Sequence, residues 1–334
     1  MIFLSIVIPH YNLARELLMR CIKSICDQNI PTEEYEIIVV DDNSSDPPTW
    51  LNSAFEKENI RVIEIEHGGP GAARNKGIEE ARGEYIQFID ADDCLQPDSL
   101  DTCLDIIHTE KPKIFRFRYK ICTSEHAALS NANNKKIKYS NIISGAAFMA
   151  SNNLPGSPCL YIFEREVVIK NNIRFATGVY HEDDEFNTKL HYHATSLIDS
   201  DAVIYNYCIR KGSITSNSNP EFEKKRIEDL FLLLQRLSAF RKECQGSSNT
   251  IQKRGIDRKM TMLTVDTIVN LLYNGQSAKE LSKLCNTRLR PLGLYPLPQA
   301  SYSIKYRIFR ILANSPLGLF ILRLVVPKRK PHKK

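Results

Sequence analysis

The 334-residue sequence has no Cys-x-x-Cys pair, no basic segment at its N-terminus, no run of twenty apolar residues, and no periodic glycine or proline. Its nine cysteines, at 21, 26, 94, 103, 122, 159, 208, 244 and 285, are odd in number and scattered. A disulfide framework or a zinc site needs clustered spacing, so the pattern predicts reduced thiols in a cytosolic protein. Met1–Pro9 is apolar but has neither a basic flank nor a cleavage-type stretch of small residues, so it reads as a buried strand and not as a signal peptide. The longest apolar run, Leu317–Val326, is broken by Arg323; a helical span needs about 20 residues, so this run cannot cross a bilayer. No Gly-x-x-x-x-Gly-Lys-Ser/Thr and no Gly-x-Gly-x-x-Gly is present, which argues against P-loop and dinucleotide-binding enzymes. With 14 Gly and 16 Pro in no order, collagen-like and low-complexity classes are excluded.

Positive charge is unevenly placed. Residues 301–334 carry nine Lys and Arg and no acid, while residues 1–300 hold 36 basic and 39 acidic residues. The net +6 therefore belongs to the tail, and the slightly acidic body argues against nucleic-acid binding. The length allows roughly two domains and a sizeable core.

The first 90 residues alternate between strand and helix patterns. Strands are predicted at Phe3–Pro9, Glu36–Val40, Ile60–Ile65 and Glu84–Ile89, and helices at Leu13–Gln28, Pro48–Lys57 and Ala72–Ala81. Such alternation means parallel strands with right-handed crossovers, and ligands bind at the C-terminal strand ends. Those ends carry Asp41-Asp42, the Gly68–Gly71 loop and Asp90–Asp93. Further on, helices are expected at Asp98–His108, Ile142–Ser151, Arg165–Asn171 and from near Glu182. Strands are expected at Lys113–Cys122, Leu160–Phe163, Thr195–Ile198 and Ala202–Ile209, with an exposed loop over Ser124–Lys138. After about residue 219 the pattern is helical: Glu221–Cys244, Asn249–Tyr273, Ala278–Leu289, Ile304–Ala313 and Leu317–Val325. The Gly-, Ser-, Asn- and Pro-rich stretch Lys211–Pro220 is the expected domain boundary.

Two carboxylates two residues apart, as in Asp90-Ala91-Asp92, can share a hard cation that bridges a diphosphate. Alone, the pattern is weak, and a solvated acidic turn is the better reading. It does not stand alone. Val7-Ile8-Pro9-His10-Tyr11-Asn12, Val40-Asp41-Asp42-Asn43-Ser44-Ser45-Asp46 and Ala73-Arg74-Asn75-Lys76-Gly77 precede it in order. Together these four motifs resemble the family-2 glycosyltransferases of the GT-A fold, closely over residues 4–100 and more loosely to about 215. The resemblance implies an α/β fold with a Rossmann-like mixed sheet flanked by helices and an α-helical C-terminal extension. It implies a GT-A domain over 1–218, with a nucleotide-sugar half (1–95) and an acceptor half (96–218), followed by helices with a basic amphipathic tail from about 301.

Carried over residue by residue, the resemblance puts Pro9, Tyr11 and Asn12 in the nucleotide pocket. Asp42 would accept from the base edge, with Asp41 as the runner-up. Arg74 would contact base or phosphate, Asp90 and Ala91 the ribose or sugar, and Asp92 a divalent cation, Mn2+ or Mg2+. Asp93 reads as a turn cap. Val179-Tyr180-His181-Glu182-Asp183-Asp184-Glu185-Phe186 matches the family's Glu-Asp-x-x-Phe at a helix start facing the acceptor. Asp183 is the expected base that deprotonates the acceptor hydroxyl, with Glu182 and Asp184 as alternatives. Acids also gather in the first turn of helices because of the macrodipole, and that competing explanation stays open. Tyr205-Asn206-Tyr207 followed by Arg210, Lys211, Ser213, Ile214 and Thr215 matches a family loop, so Arg210, Lys211 and Ser213 would contact the leaving group.

The expected function is inverting transfer from a nucleotide diphosphate sugar, UDP-linked by preference, to a hydroxyl of a glycan or lipid-linked acceptor in cell-surface polysaccharide or lipopolysaccharide synthesis. The tail predicts peripheral contact with an anionic membrane at its cytoplasmic face. Two other classes share parts of the pattern: a catalytically silent sugar-nucleotide-binding scaffold, and an NAD-dependent oxidoreductase, which the missing glycine fingerprint disfavours.

Overall fold

The structure is a computed structural model that describes residues 2–55, 59–123, 137–210 and 219–327. The chain divides into two compact units. One comprises Met1–Phe148, Pro155–Gly178 and Glu182–Ser213; the other comprises Met149–Leu154, Val179–His181 and Ile214–Lys334.

The first unit is built on an eight-stranded sheet. Its strands are β1 (Leu4–His10), β2 (Tyr35–Asp41), β3 (Ile60–Glu64), β4 (Tyr85–Phe88), β5 (Cys94–Leu95), β6 (Ile114–Thr123), β7 (Tyr161–Glu164) and β8 (Leu197–Ile209), in the order β3-β2-β1-β4-β7-β6-β8-β5. β3, β2, β1 and β4 run parallel. β7 then pairs antiparallel with both β4 and β6, and β8 runs parallel to β6, so the sheet is mixed. β1 and β2 are near-continuous apolar runs and are buried almost throughout, as expected of parallel strands covered on both faces. Their register sets His10 beside Asp41, which brings the ends of both strands to one edge.

The helices of this unit are α1 (Arg15–Cys26), α2 (Leu51–Ala54), α3 (Pro70–Glu80), α4 (Asp101–Glu110), α5 (Gly145–Ser151, which runs into the second unit), α6 (Arg165–Lys170) and α7 (Glu182–His193). α1 buries Leu18, Cys21, Ile22 and Ile25, the stripe its spacing predicts. The helix expected over Pro48–Lys57 shrinks to a 3-10 turn (Pro48–Trp50) and the single turn of α2. Phe55 takes extended backbone there (φ −123°, ψ 103°), which ends the helix. The two strands expected at Thr195–Ile198 and Ala202–Ile209 are one strand, β8. The polar Asp199-Ser200-Asp201 looked like a break, but the Asp199 carboxylate accepts from Arg116 and Arg118, at 2.6 Å each, and Ser200 donates to the Arg116 carbonyl. Shifts in the β6–β8 register absorb the mismatch. The two-residue β5 is too short to leave any periodicity in the sequence.

The second unit contains α8 (Pro220–Glu243), α9 (Thr250–Tyr273), α10 (Ala278–Leu284), α11 (Ile304–Ala313) and α12 (Pro316–Val325). Asn219, Asn249, Ser277, Ser303 and Ser315 each accept a backbone N–H at a helix start, with full capping boxes at Asn249 and Ser277. The helix expected to run to Leu289 leaves α geometry after Leu284 and finishes as a π turn over Cys285–Leu289. The core joins Leu230, Leu234 and Leu237 of α8 to Met260, Leu263 and Leu271 of α9, with Leu281, Ala313, Leu319 and Leu322.

One glycine fixes how α3 sits in the first unit. A Cβ on Gly77 would lie 2.1 Å from Val7 Cγ1, so glycine is what lets α3 press on β1. Gly77→Ala gains about 1 kcal/mol of helix propensity. Overpacking costs about 1–3 kcal/mol, so the net expectation is a loss. Urea melts should show Gly77→Ala destabilised and its loss reduced when combined with Val7→Ala; additive losses would contradict the close approach.

Candidate active site

The site gathers at the C-terminal ends of β1, β2 and β4, where open α/β sheets bind ligands. Asp41 is fully buried. Its Oδ1 accepts from Ser44 Oγ (2.6 Å) and lies 2.7 Å from His10 Nδ1, and its Oδ2 accepts from Ser44 N (3.0 Å). Asp42 turns the other way and accepts from the backbone N–H groups of Gly68 (2.7 Å) and Gly69 (2.9 Å). It therefore anchors the glycine loop, in which Gly69 takes φ 82° directly before Pro70 opens α3. His67 Nδ1 lies 2.9 Å from Asp42 Oδ2, and the His67 ring stacks on Tyr11 at 4.6 Å. Tyr11 is half exposed, so the pair forms an aromatic face open to solvent at the strand ends. Asn12 takes φ 45° and accepts from Ser45 N and Oγ, which ties the end of β1 to the turn after β2. Pro9 is the penultimate residue of β1, paired with Val40.

α3 carries the centre of the site. With Gly77 against β1, Arg74 lies one turn earlier, and Asn75 locks the helix by exchanging two hydrogen bonds with the Phe175 backbone (2.8 and 2.9 Å). Arg74 is buried. Its Nη2 meets Asp90 at 2.9 Å, and its Nη1 meets Asp183 at 2.8 Å and Glu182 at 3.3 Å. One guanidinium thus joins the turn after β4 to the first turn of α7, which begins just after His181 at φ 68°. Lost hydration raises the Asp183 pKa to about 8; Arg74 opposes the rise, and Glu182, Asp90 and Asp184 reinforce it. Glu182 is raised for the same first reason, again against Arg74. The Asp183 side chain keeps 28% of its surface accessible against 10% for Glu182, so Asp183 is the acid of the pair that meets solvent.

The rest of the acidic turn is held from behind. Asp92 Oδ2 pairs with Arg210 Nε at 2.5 Å, and Arg20 of α1 donates to the Asp92 carbonyl. Asp93 is buried; it accepts from Tyr205 Oη at 2.5 Å and from Cys208 N at 2.7 Å, and the Asp90 N–H donates to the same phenol oxygen. Desolvation, with Asp90 adding to it, pushes Asp93 up to about 8. The buried Ala91 lies between the two outward carboxylates.

The expected residues Pro9, Tyr11, Asn12, Asp41, Asp42, Arg74, Asp90, Ala91, Asp92, Glu182, Asp183 and Arg210 all lie in the first unit. At three expected positions the structure adds contacts within the chain. Arg74 faces three carboxylates of its own chain, because burial demands that its charge be neutralised. Asp93 does more than cap a turn: it fastens the turn to β8. Arg210 pairs with Asp92. Asp184 is absent from the ion pairs of Arg74. Lys211, Ser213, Ile214 and Thr215 lie outside the described residues, as do most of Ser124–Lys138, Lys328–Lys334 and the expected boundary at Lys211–Pro220 apart from its last two residues. Sequence reading gave no site role to His67, Tyr205 or Arg20, whose contacts span 25 to 115 positions. It also read the cysteines as scattered, yet β6 and β8 bring Cys122 Sγ and Cys208 Sγ to 3.0 Å as free thiols.

The family described as "Glycosyl transferase family 2" matches residues 5–167, which include β1, the glycine loop, Arg74 and the acidic turn. Over residues 5–167 the chain matches the family-2 glycosyltransferases. A poly(ribitol-phosphate) β-glucosyltransferase of Bacillus spizizenii is 46% identical over 101 residues, covering 29% of this chain and 16% of that protein. The chain therefore matches only a small part of that relative's length. TarS of Staphylococcus aureus, a poly(ribitol-phosphate) β-N-acetylglucosaminyltransferase solved over residues 1–349 with UDP-GlcNAc, superposes with a TM-score of 0.70. That match covers 97% of this chain and 91% of the solved one at 19% identity. A mannosyltransferase from Pyrobaculum calidifontis, solved with GDP-Man and Mn2+, superposes with a TM-score of 0.55 at 16% identity, covering 96% and 87%. Both structures place this chain in the GT-A fold, with a mixed sheet, flanking helices and further helices at its C-terminal end.

In this glycosyltransferase domain, removal of Arg74 should expose the repulsion it suppresses. A carboxyl whose folded pKa is raised contributes fully below its unfolded value and loses that contribution as pH rises through the folded pKa, here about 8 for Asp183. Arg74→Met raises the neighbouring acids further. Urea melts should show a loss on the order of 3 kcal/mol at pH 8.5, discounted for the partly exposed Asp90 and Asp183, and a clearly smaller loss at pH 5. Equal losses at both pH values would contradict the cluster.

Proposed function

We propose that this chain transfers a sugar, with inversion, from a UDP-sugar to a hydroxyl of a glycan, polyol-phosphate or lipid-linked acceptor of a cell-surface polymer. The observation that carries the reading is the Arg74 bridge: one side chain holds the acidic turn expected to face the donor and the α7 acids expected to face the acceptor. Inverting transfer is a single displacement, so donor and base must be presented together.

Asp183 is the base. Its raised pKa makes its carboxylate a stronger proton acceptor than an ordinary aspartate, and its partial exposure leaves it accessible to the acceptor oxygen. Glu182, more buried and on the same guanidinium, raises the Asp183 pKa. The Tyr11–His67 face suits stacking of a uracil ring, and Asp42, by fixing the glycine loop, keeps α3 in place. Arg210, paired with Asp92, would contact the donor's diphosphate; Lys211 and Ser213 follow it in the chain.

A divalent cation, Mn2+ or Mg2+, would be held by Asp92, with Asp90 nearby. The donor set fits, because both offer hard carboxylate oxygens. Among the described residues no group of three His, Cys, Asp or Glu is placed to hold a metal ion, so the other ligands would be diphosphate oxygens and water, as Mg2+ accepts. Once bound, it supplies positive charge to the leaving diphosphate. The reading puts the enzyme in the cytoplasm at the inner membrane face. No observation favours a silent scaffold, since Asp90, Asp92 and Asp183 are all in place.

Two substitutions separate the roles. Asp183→Asn should reduce transfer by about 10²–10⁴-fold while leaving UDP affinity, measured by calorimetry, within about twofold. Asp92→Asn should abolish the Mn2+ dependence of UDP binding. If Asp183→Asn retains transfer and loses UDP affinity, Asp183 belongs to the donor side and Glu182 becomes the candidate base.

A further inference from the structure

The last two helices of the second unit carry more apolar surface than their packing uses. α11 turns Tyr306 and Ala313 inward, with Phe309 and Leu312 packed on the core. Its opposite face exposes Ile304, Ile308 and Ile311, an i, i+4, i+7 stripe. α12 repeats the arrangement: Gly318, Leu319 and Leu322 are buried, while Leu317, Phe320 and Leu324 face out. These six side chains are 53–73% exposed. A solvated helix needs one apolar stripe; each of these has two.

The pair is held rigidly. Asn314, between the helices, exchanges hydrogen bonds with the Leu297 backbone (2.8 and 3.0 Å), Tyr295 Oη donates to the Ala313 carbonyl, and Tyr306 Oη donates to the Pro298 carbonyl. A Cβ on Gly318 would lie 2.1 Å from the Leu312 carbonyl oxygen, so the helices touch backbone to backbone. The outward stripes therefore cannot fold away without breaking the core.

Cations flank the stripes: Lys305, Arg307 and Arg310 on α11, and Arg323 on α12, with no acid anywhere from Ser301 onward. We propose that these outward faces dock on an anionic lipid bilayer, lying in the headgroup region with the apolar stripes in the acyl boundary. The charge pattern selects this occupant. A second copy of the chain would bring two acid-free cationic surfaces together, whereas anionic headgroups neutralise them, and long Lys and Arg side chains reach headgroups from beside a buried apolar stripe. The two helices together are apolar enough for a broken span, but they bend by 119°. Each ten-residue helix is about 15 Å long, half of a hydrocarbon core of about 30 Å. With their inner faces committed to the protein core, they can insert only shallowly.

This proposal deepens the sugar-transfer reading by placing the acceptor at a membrane, but its test is independent of transfer. Full-length protein is co-sedimented with phosphatidylglycerol/phosphatidylcholine vesicles and with phosphatidylcholine alone, at low and high salt. It should pellet with the anionic vesicles and less at high salt. The triple variant Ile308→Asp, Phe320→Asp, Leu324→Asp should bind about tenfold more weakly or worse, with unchanged circular dichroism and unchanged UDP affinity. Because all three side chains point outward, the variant should fold; if it does not, Lys305→Glu with Arg307→Glu tests the charge component alone. Equal sedimentation of variant and parent, indifference to anionic lipid, or a solution dimer that the triple variant abolishes would each overturn the proposal. Loss of UDP binding with vesicle binding intact would instead count against the sugar-transfer reading.

Discussion

Arg74 is a buried cation surrounded by three carboxylates, and the shape of the site follows from keeping it there. A buried guanidinium without partners would be strongly destabilising, so Asp90, Glu182 and Asp183 must approach it. They come from the turn after β4 and from the start of α7, segments about 90 positions apart. Gly77 and Asn75 fix the helix that carries Arg74, one by allowing contact with Val7 and the other by gripping the Phe175 backbone. The Ala-Arg-Asn-x-Gly motif is thus a device for aiming one side chain.

The same crowding prepares the chemistry. Three acids around one cation leave negative charge in excess, and desolvation raises the pKa of the acid that still reaches solvent. The acidic turn has a second support in Asp93, held by Tyr205 and Cys208 of β8, so Asp90 and Asp92 project from a turn fixed at both ends. Rigid placement of charge ahead of the reaction is what electrostatic catalysis requires.

Much of this was legible in the sequence, because the signals were local. Apolar runs bounded by Pro or ending in acids gave β1, β2 and β4 and the edge on which they end; helical periodicity after residue 219 gave the C-terminal helices. The role of Arg74 was not legible, since its partners lie 16, 108 and 109 positions away. For the same reason, Asp93 looked like a turn cap until β8 was beside it. Asp199-Ser200-Asp201 read as a strand break because the two arginines that neutralise Asp199 are on another strand. The doubled apolar faces of α11 and α12 illustrate the converse: both stripes are visible in the sequence, but only packing tells which one is used.

The central claim is that desolvation and the acids gathered around Arg74 make Asp183 a strong, accessible base. The most direct measurement is a 13C NMR titration of the Asp183 side-chain carboxyl in the ligand-free protein, assigned by comparison with Asp183→Asn. The account predicts a midpoint near the value of about 8 that desolvation and the neighbouring acids impose, far above an ordinary aspartate. A midpoint at or below about 4 would mean that Arg74 dominates the site and that Asp183 is an ordinary ion-pair partner.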